Sequence, residues 1–528
     1  MYIASQVRYT CVLEIQSGAT LTIGANSYAD IKTNLFVNSG GTLDILDDGS
    51  LVQEDDASQA VNNGTIRVYK ETPSLNNRDF MIVGSPMTTS TQAGVFPSAV
   101  QFRNHLTNLF NADPDVTAED GLALNFADAE GDNWAHYTGT LNNGEGYLVM
   151  PQTAATVPDG QTYMFEFNQG TLNNGVVNMP VLYGDSTNDS PNILSNPYPS
   201  AIDLSLWFAE NFLISDNIYL WDHATAPSTS YPGYNGANYD MGDISTYNSG
   251  SGGVAGNGGV IPDGYLASGQ GFAIKAEVAG TVVFNNGMRV TGNNTGFKSS
   301  PATPSGRDRI WLNVESRQYG LKSQTLIAFT DGATPAFEAN YDATRLATPV
   351  SIYSKLDSGE ELSIQGLDAF DLEKRVNLGF RSQVEAPEIF TVSIARLERF
   401  LLSEQTQVYL EDHQTGELVN LSRTEYSFRS DAGNFTDRFT LLFSEKALEV
   451  EENQLTGFSI YPNPAKNSLN LVFGNSIPDQ VRIFDLSGRL VTTVQTDGKD
   501  RIMLNIGNLS TGLYFVKAGA STKKLLVE

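Results

Sequence analysis

Cysteine occurs once in the 528 residues, at Cys11. A lone cysteine rules out an intrachain disulfide and any cysteine-based zinc site, and it reads as a small buried apolar residue rather than a nucleophile. Histidine is nearly as scarce. His105, His136, His223 and His413 lie far apart, with no His-Glu-x-x-His spacing, so each reads as a lone structural or surface residue. Basic residues number 32 against 60 acidic ones, a net charge of −28. That balance makes nucleic acid a poor partner, because phosphate binding needs local positive charge, and it implies a solvated acidic surface. No apolar run reaches the eighteen residues that a membrane-spanning helix needs, so the chain is not expected to cross a bilayer in that way. The start, Met1 to Arg8, lacks the basic, apolar and small-residue succession of a signal peptide. Because the chain then runs straight into repeats, Met1 reads as the start of a piece of something longer.

Glycine is plentiful, at 48 residues, and short alternating runs between turn residues point to an all-β chain. Four regions and a linker are expected: β-solenoid repeats over 1–69, a duplicated β module over 70–300, a β-sandwich over 301–443, an acidic linker over 444–457, and a separate module over 458–528. The solenoid reading rests on Ser17-Gly18-Ala19-Thr20-Leu21-Thr22-Ile23, which returns as Ser39-Gly40-Gly41-Thr42-Leu43-Asp44-Ile45, with weaker echoes at Asp48 to Val52 and Asn63 to Val68. The duplication rests on Val83-Gly84-Ser85-Pro86 and Gly144-Glu145-Gly146-Tyr147, matched later by Ser195-Asn196-Pro197 and Gly269-Gln270-Gly271-Phe272. Tyr231 to Gly259, rich in Gly, Asn, Tyr and Ser, reads as a long surface loop. The last module changes sign. Eight basic and five acidic residues make it near +3, while the rest of the chain is near −31. Its seven alternating segments suggest a small immunoglobulin-like sandwich.

That module carries Tyr461-Pro462-Asn463-Pro464, Ile483-Phe484-Asp485-Leu486-Ser487-Gly488-Arg489, Gly512-Leu513-Tyr514-Phe515-Val516 and Lys523-Lys524-Leu525-Leu526-Val527. In these residues it resembles the type A C-terminal sorting domain of the type IX secretion system of Bacteroidota. The resemblance implies recognition by the translocon and its outer-membrane and shuttle proteins, followed by release or attachment at the cell surface. It also implies a sorting signal carried by Tyr461, Pro462, Asn463, Pro464, Asp485, Gly488, Gly512, Tyr514, Lys523, Lys524 and Leu525. Upstream, Asn196 to Ser200, Ile218 to His223 and Ser268 to Phe272 resemble segments of flavobacterial adhesin-like and gliding-associated surface proteins.

Chemistry is harder to find. The densest acidic stretch, Asp113, Asp115, Glu119, Asp120, Asp128, Glu130 and Asp132, offers oxygen ligands of the kind calcium takes, but not in an EF-hand spacing, and it reads as a solvated loop. No catalytic pair is singled out, so no cofactor and no enzyme activity are expected. Trp221, Tyr231 and Tyr234 are candidates for stacking on the sugar rings of a cell-surface glycan. The functional expectation is an exported, adhesin-like surface protein, with a glycan-binding accessory part of a secreted enzyme as its rival.

Overall fold

The computed structural model describes residues 2–3, 9–116, 121, 124–222, 224–231, 233–295, 307–385, 387–402, 406–444, 458–473, 477–499, 501–519 and 521–527. Most of the expected linker, and His223, Glu119 and Asp120, fall outside them. The chain is all-β and forms two compact units, Met1–Ser444 and Glu445–Glu528.

The first unit opens with parallel strands stacked on three faces. Thr20–Ile23, Thr42–Ile45 and Thr65–Glu71 form one face, Tyr28–Ile31 and Ser50–Gln53 the second, and Leu13–Ile15, Leu35–Val37 and Ala60–Asn62 the third. In-register stacking places Leu21, Leu43 and Ile66 in one buried row and Ile23, Ile45 and Val68 in another. Asn63 to Val68 therefore continues the first repeat, whereas the echo at Asp48 to Val52 belongs to a different face. Close stacking explains the glycines: a β-carbon on Gly41 would lie 2.8 Å from the Ile15 carbonyl oxygen of the preceding coil. Cys11, expected to be buried, is exposed at the bend before Leu13–Ile15, where its carbonyl accepts the Thr33 amide at 2.9 Å and its side chain faces outward.

The last coil does not end in solvent. Met164–Phe167 pairs antiparallel with Thr65–Glu71, and Phe165 and Phe167 join the solenoid core. One core is thus continuous from the coils into the strands that follow residue 70. Those strands form two sheets of matching order. In the first, Met81–Val83, Tyr147–Met150, Gln101–His105 and Trp134–His136 lie side by side; in the second, Pro191–Ser195, Gly271–Lys275, Asn217–Trp221 and Ile244–Asn248 take the same places. Contacts between the two sheets are reciprocal. The Gly84 amide donates to the Gly269 carbonyl at 2.9 Å and the Ser195 amide to the Gly144 carbonyl at 2.9 Å, which is the signature of a local two-fold axis. The helix Leu204–Asn211, capped by the Asp203 carboxylate, closes the second core with Trp207 and Phe208.

Tyr231 to Gly259 is not a surface loop throughout. Ile244–Asn248 and Gly252–Val254 are strands, and Asp240, Met241, Asp243, Asn248 and Ser251 are buried. Its polar composition misleads because it is held by side-chain bonds to backbone: Asn248 Nδ2 donates to the Ala339 carbonyl at 2.8 Å, and Trp311 Nε1 to the Gly253 carbonyl at 2.8 Å.

The region after residue 307 is a single curled sheet rather than two stacked ones. Ten strands run in the order Glu417–Asn420, Tyr409–Asp412, Gly433–Leu442, Arg375–Ser382, Val350–Lys355, Glu361–Leu367, Leu321–Phe329, Asp308–Ser316, Glu388–Glu398, Tyr426–Ser430, with Ala343–Thr344 added beside Glu361–Leu367. Residues from both ends, Leu410 and Leu421 at one and Tyr426 and Phe428 at the other, share one core, so the sheet nearly closes on itself.

Among its described residues the second unit has seven strands in two sheets. Phe458–Tyr461, Ser468–Phe473 and Arg501–Asn505 form one; Leu490–Gln495, Gln480–Asp485, Gly512–Ala518 and Ser521–Val527 form the other. Alternate residues such as Leu469, Leu471, Val481, Ile483, Leu525 and Val527 fill the core between them.

Candidate functional site

In the second unit the sequence motifs converge on the final strand. Asn463 lies between Pro462 and Pro464, both preceded by cis peptide bonds. Its side-chain amide donates to the Lys524 carbonyl at 2.9 Å and accepts from the Leu526 amide at 2.8 Å, while the Ala465 amide donates to the Leu526 carbonyl at 2.8 Å. The Asn463 side chain thus stands in for a peptide group and extends the ladder along the outer edge of Ser521–Val527. On its inner edge that strand pairs with Gly512–Ala518, Tyr514 lying opposite Leu525. The Tyr514 hydroxyl donates to the Ser510 carbonyl at 2.8 Å, fixing the turn that precedes its strand. Asp485 accepts from the Ser487 hydroxyl and amide and from the Arg489 Nε and amide, and these donors hold its carboxyl down at about 2. Gly488 completes that turn with φ +80°, and Gly512 also has positive φ. Lys523, Lys524 and Tyr461 are exposed, and Leu525 is buried.

In the first unit, outward faces of the two matching sheets line a groove of about 980 Å³. Ile82, Leu148 and Arg103 are cross-strand neighbours on one face, and Ile193, Ala273 and Tyr219 on the other. Residues of opposite parity, Val83, Phe102, Tyr147 and Val149, point away into the core. Trp221 stacks on Phe80 with centroids 4.7 Å apart, and Tyr239 meets Phe80 edge-on at 4.9 Å. Tyr234, 65% exposed, lies over Gly131 at the rim. Trp221 and Tyr234 therefore share this groove. Tyr231 does not line it: it is half-buried, and its carbonyl accepts from Asn238 Nδ2 at 3.2 Å.

His105, also on the wall, packs edge-on against Trp134 at 4.9 Å; burial and the nearby Lys275 push its imidazole down to about 3, so it is neutral at ordinary pH. Lys275 Nζ donates to the Asn125 and Asn188 carbonyls, both at 2.7 Å, and lies over the rings of Phe110 and Phe126; burial lowers it to about 7. Sequence reading overlooked Arg78, Arg103 and Phe80. The one available signal was the polar alternation of Gln101, Arg103 and His105 around Phe102, which marks a strand with a polar outer face. In the acidic stretch, Asp128 accepts from the Asn111, Glu130 and Gly131 amides, and Asp113 from the Asp115 amide, so these carboxylates build turns. Among the described residues no group of three or more His, Cys, Asp or Glu is placed to hold a metal ion. No helix among them is long and apolar enough to cross a membrane.

Residues 2–443, almost the whole first unit, match the model of a domain of unknown function, DUF8693. The chain belongs to the DUF8693 family. Residues 459–528 match the secretion system C-terminal sorting domain. The DUF8693 chain is accordingly a cargo of the type IX secretion system, destined for secretion or the cell surface, and its sorting domain engages that machinery. It is also similar to an ulvan lyase of Nonlabens ulvanivorans (NLR42), 26% identical over 113 residues, which cover 21% of each chain. Among solved structures, dimeric latent PorU from Porphyromonas gingivalis covers 47% of this chain and 31% of its own at 12% identity and a TM-score of 0.12, too low to carry an argument.

Proposed function

We propose that the DUF8693 unit is an adhesin-like module that binds a glycan in the groove between its two matching sheets, without turnover, after the sorting domain has carried it out of the cell. The observation that carries this reading is the presence of Trp221 and Tyr234 in one groove built on rigid strands, with amide side chains such as Asn133 and Gln152 beside them. Sugar rings offer an apolar face for aromatic stacking and hydroxyls for amides, and a groove of this volume suits a short oligosaccharide. The similarity to an ulvan lyase favours the second reading, a glycan-binding accessory part of a secreted enzyme.

The test is a glycan array probed with the full chain, followed by calorimetry on the hits. Saturable binding that Trp221→Ala weakens, with the glycan recovered uncleaved, supports the reading. An array without hits removes it, and cleavage of a bound glycan replaces it with an enzyme. Export has its own check: Lys523 and Lys524 are exposed, so Lys523→Glu with Lys524→Glu leaves the fold intact and is expected to lower secretion.

A further inference from the structure

The groove has a charge balance opposite to that of the chain. Acidic residues outnumber basic ones 60 to 32 overall, yet among the described residues the groove's charged lining is Arg78, Arg103 and Asp128. Resting on the glycan reading above, we infer that its ligand is an anionic saccharide whose carboxylate or sulfate ester is held by Arg103 and Arg78 while its rings lie on Trp221 and Tyr234.

Arg103 is built for this. Its strand, Gln101–His105, lies inside the first sheet, between Tyr147–Met150 and Trp134–His136. Nε donates to Gln101 Oε1 at 3.1 Å and Nη1 to the Trp134 carbonyl at 2.8 Å, so the guanidinium plane is fixed by neutral groups. Its Nη2 has no hydrogen-bond partner among the described residues. Neither Arg103 nor Arg78 has a carboxylate within ion-pair distance among them, although many arginines of this chain do, for example Arg67 with Asp44, Arg309 with Glu398 and Arg438 with Asp412. A half-buried guanidinium that is oriented but lacks a counter-charge is suited to a planar anion, which it can bind through parallel N–H donors.

Arg78 stands at the rim beside Tyr239, whose hydroxyl donates to the Arg78 carbonyl at 2.8 Å. Its backbone, at φ +71°, is in the left-handed region, and its side chain is exposed. Asp128 opposes an anion least where it is, because three backbone amides already share its charge. A ligand crossing the groove from Arg103 on the first sheet to Trp221 on the second would have its acidic group against the arginines and its ring faces against the aromatic cluster.

The experiment titrates the full chain calorimetrically with two matched pairs: oligogalacturonate against its fully methyl-esterified form, and a sulfated galactan oligosaccharide against its desulfated form. At least one charged member is expected to bind more tightly than its uncharged partner by roughly tenfold or more. Arg103→Gln should remove that preference, and so should Arg78→Ala, whose exposed position leaves the fold untouched. Whichever pair shows the preference separates carboxylate from sulfate. Equal binding within both pairs, or a preference that survives both substitutions, overturns the anionic assignment and leaves the glycan reading standing. If neither charged member binds while the array yields neutral hits, the anionic assignment alone fails; if the array is also empty, both fail.

Discussion

Gly84 and Ser195 meet at the local two-fold axis of the duplicated module, where a β-carbon on Gly84 would overlap the Ser195 side chain. Each donates its amide to the opposite copy, and Ser195 Oγ also donates to the Glu145 carbonyl at 2.7 Å. The groove is lined by strands of both copies, which this contact joins. Gly84→Ala should cost roughly 1–3 kcal/mol through overpacking. Adding Ser195→Gly should recover only part of that loss, because the Glu145 carbonyl oxygen would still lie 2.9 Å from the new β-carbon. Thermal unfolding of the native chain and the three variants of this cycle checks it, and an unchanged midpoint for Gly84→Ala would show that the two copies can slide apart.

Asn463 closes the outer edge of the last strand with one donor and one acceptor. Asn463→Ala removes both bonds and exposes the Leu526 amide, while Leu525 and Val527 remain in the core. Hydrogen exchange at Leu526 is therefore expected to speed up by roughly fivefold, corresponding to about 1 kcal/mol for the lost hydrogen bond. Asn463→Asp keeps the acceptor and should fall between the two. Exchange equal to that of the native chain would mean that the Ala465 bond suffices.

All-β character is legible because alternation in runs such as Leu469-Asn470-Leu471 reports which face of a strand is buried, and the sorting motifs are legible because their spacing is local. Strand order is not local. A strand buried on both faces shows no alternation to read: Val350 to Ser354 are all buried, and nothing in that run says whether it belongs to a sandwich or to a curled sheet. The groove was half legible. Trp221 and Tyr234 stand out by residue type, whereas Arg103 becomes interesting only once Trp134, thirty-one residues away, supplies the carbonyl that orients it. Cys11 and the Tyr231 to Gly259 stretch were misjudged for one reason: composition reports average burial, and individual bonds to backbone decide it.

Side chains complete the curled sheet where the backbone ladder stops. Asp412, near one end, accepts from the Tyr426 hydroxyl at 2.9 Å on the last strand of the other end, and from Arg438 Nη2 at 3.2 Å; Arg438 also donates to Ser430 Oγ at 3.1 Å. Asp412 and Arg438 are both buried, so Asp412→Ala leaves an unpaired interior charge and should cost roughly 3–5 kcal/mol. Tyr426→Phe loses a single bond and should cost about 1 kcal/mol. Chemical denaturation of the two variants ranks them, and a larger loss for Tyr426→Phe would contradict closure through Asp412.

Asp222 follows Trp221 directly and faces Ser245, whose hydroxyl donates to it at 2.8 Å. Burial, reinforced by the Asp243 carboxylate and opposed by that hydrogen bond, raises its carboxyl from 3.8 to about 6. A carboxyl with a raised folded-state value binds its proton more tightly in the folded protein than in the unfolded one. Its contribution to stability is therefore complete below about 4, falls as pH rises to about 6, and is flat above. Asp222→Asn keeps an acceptor for Ser245 and removes the buried charge, so the variant should melt higher than the native chain at about pH 7 and show a shallower slope between about pH 4 and 6. Some slope should persist, because burial raises Asp342 to about 6 as well. Melting temperatures across that range decide it: parallel curves for the two proteins would mean that Asp222 ionises with an ordinary carboxyl value, and that the wall of the groove beside Trp221 is open to water.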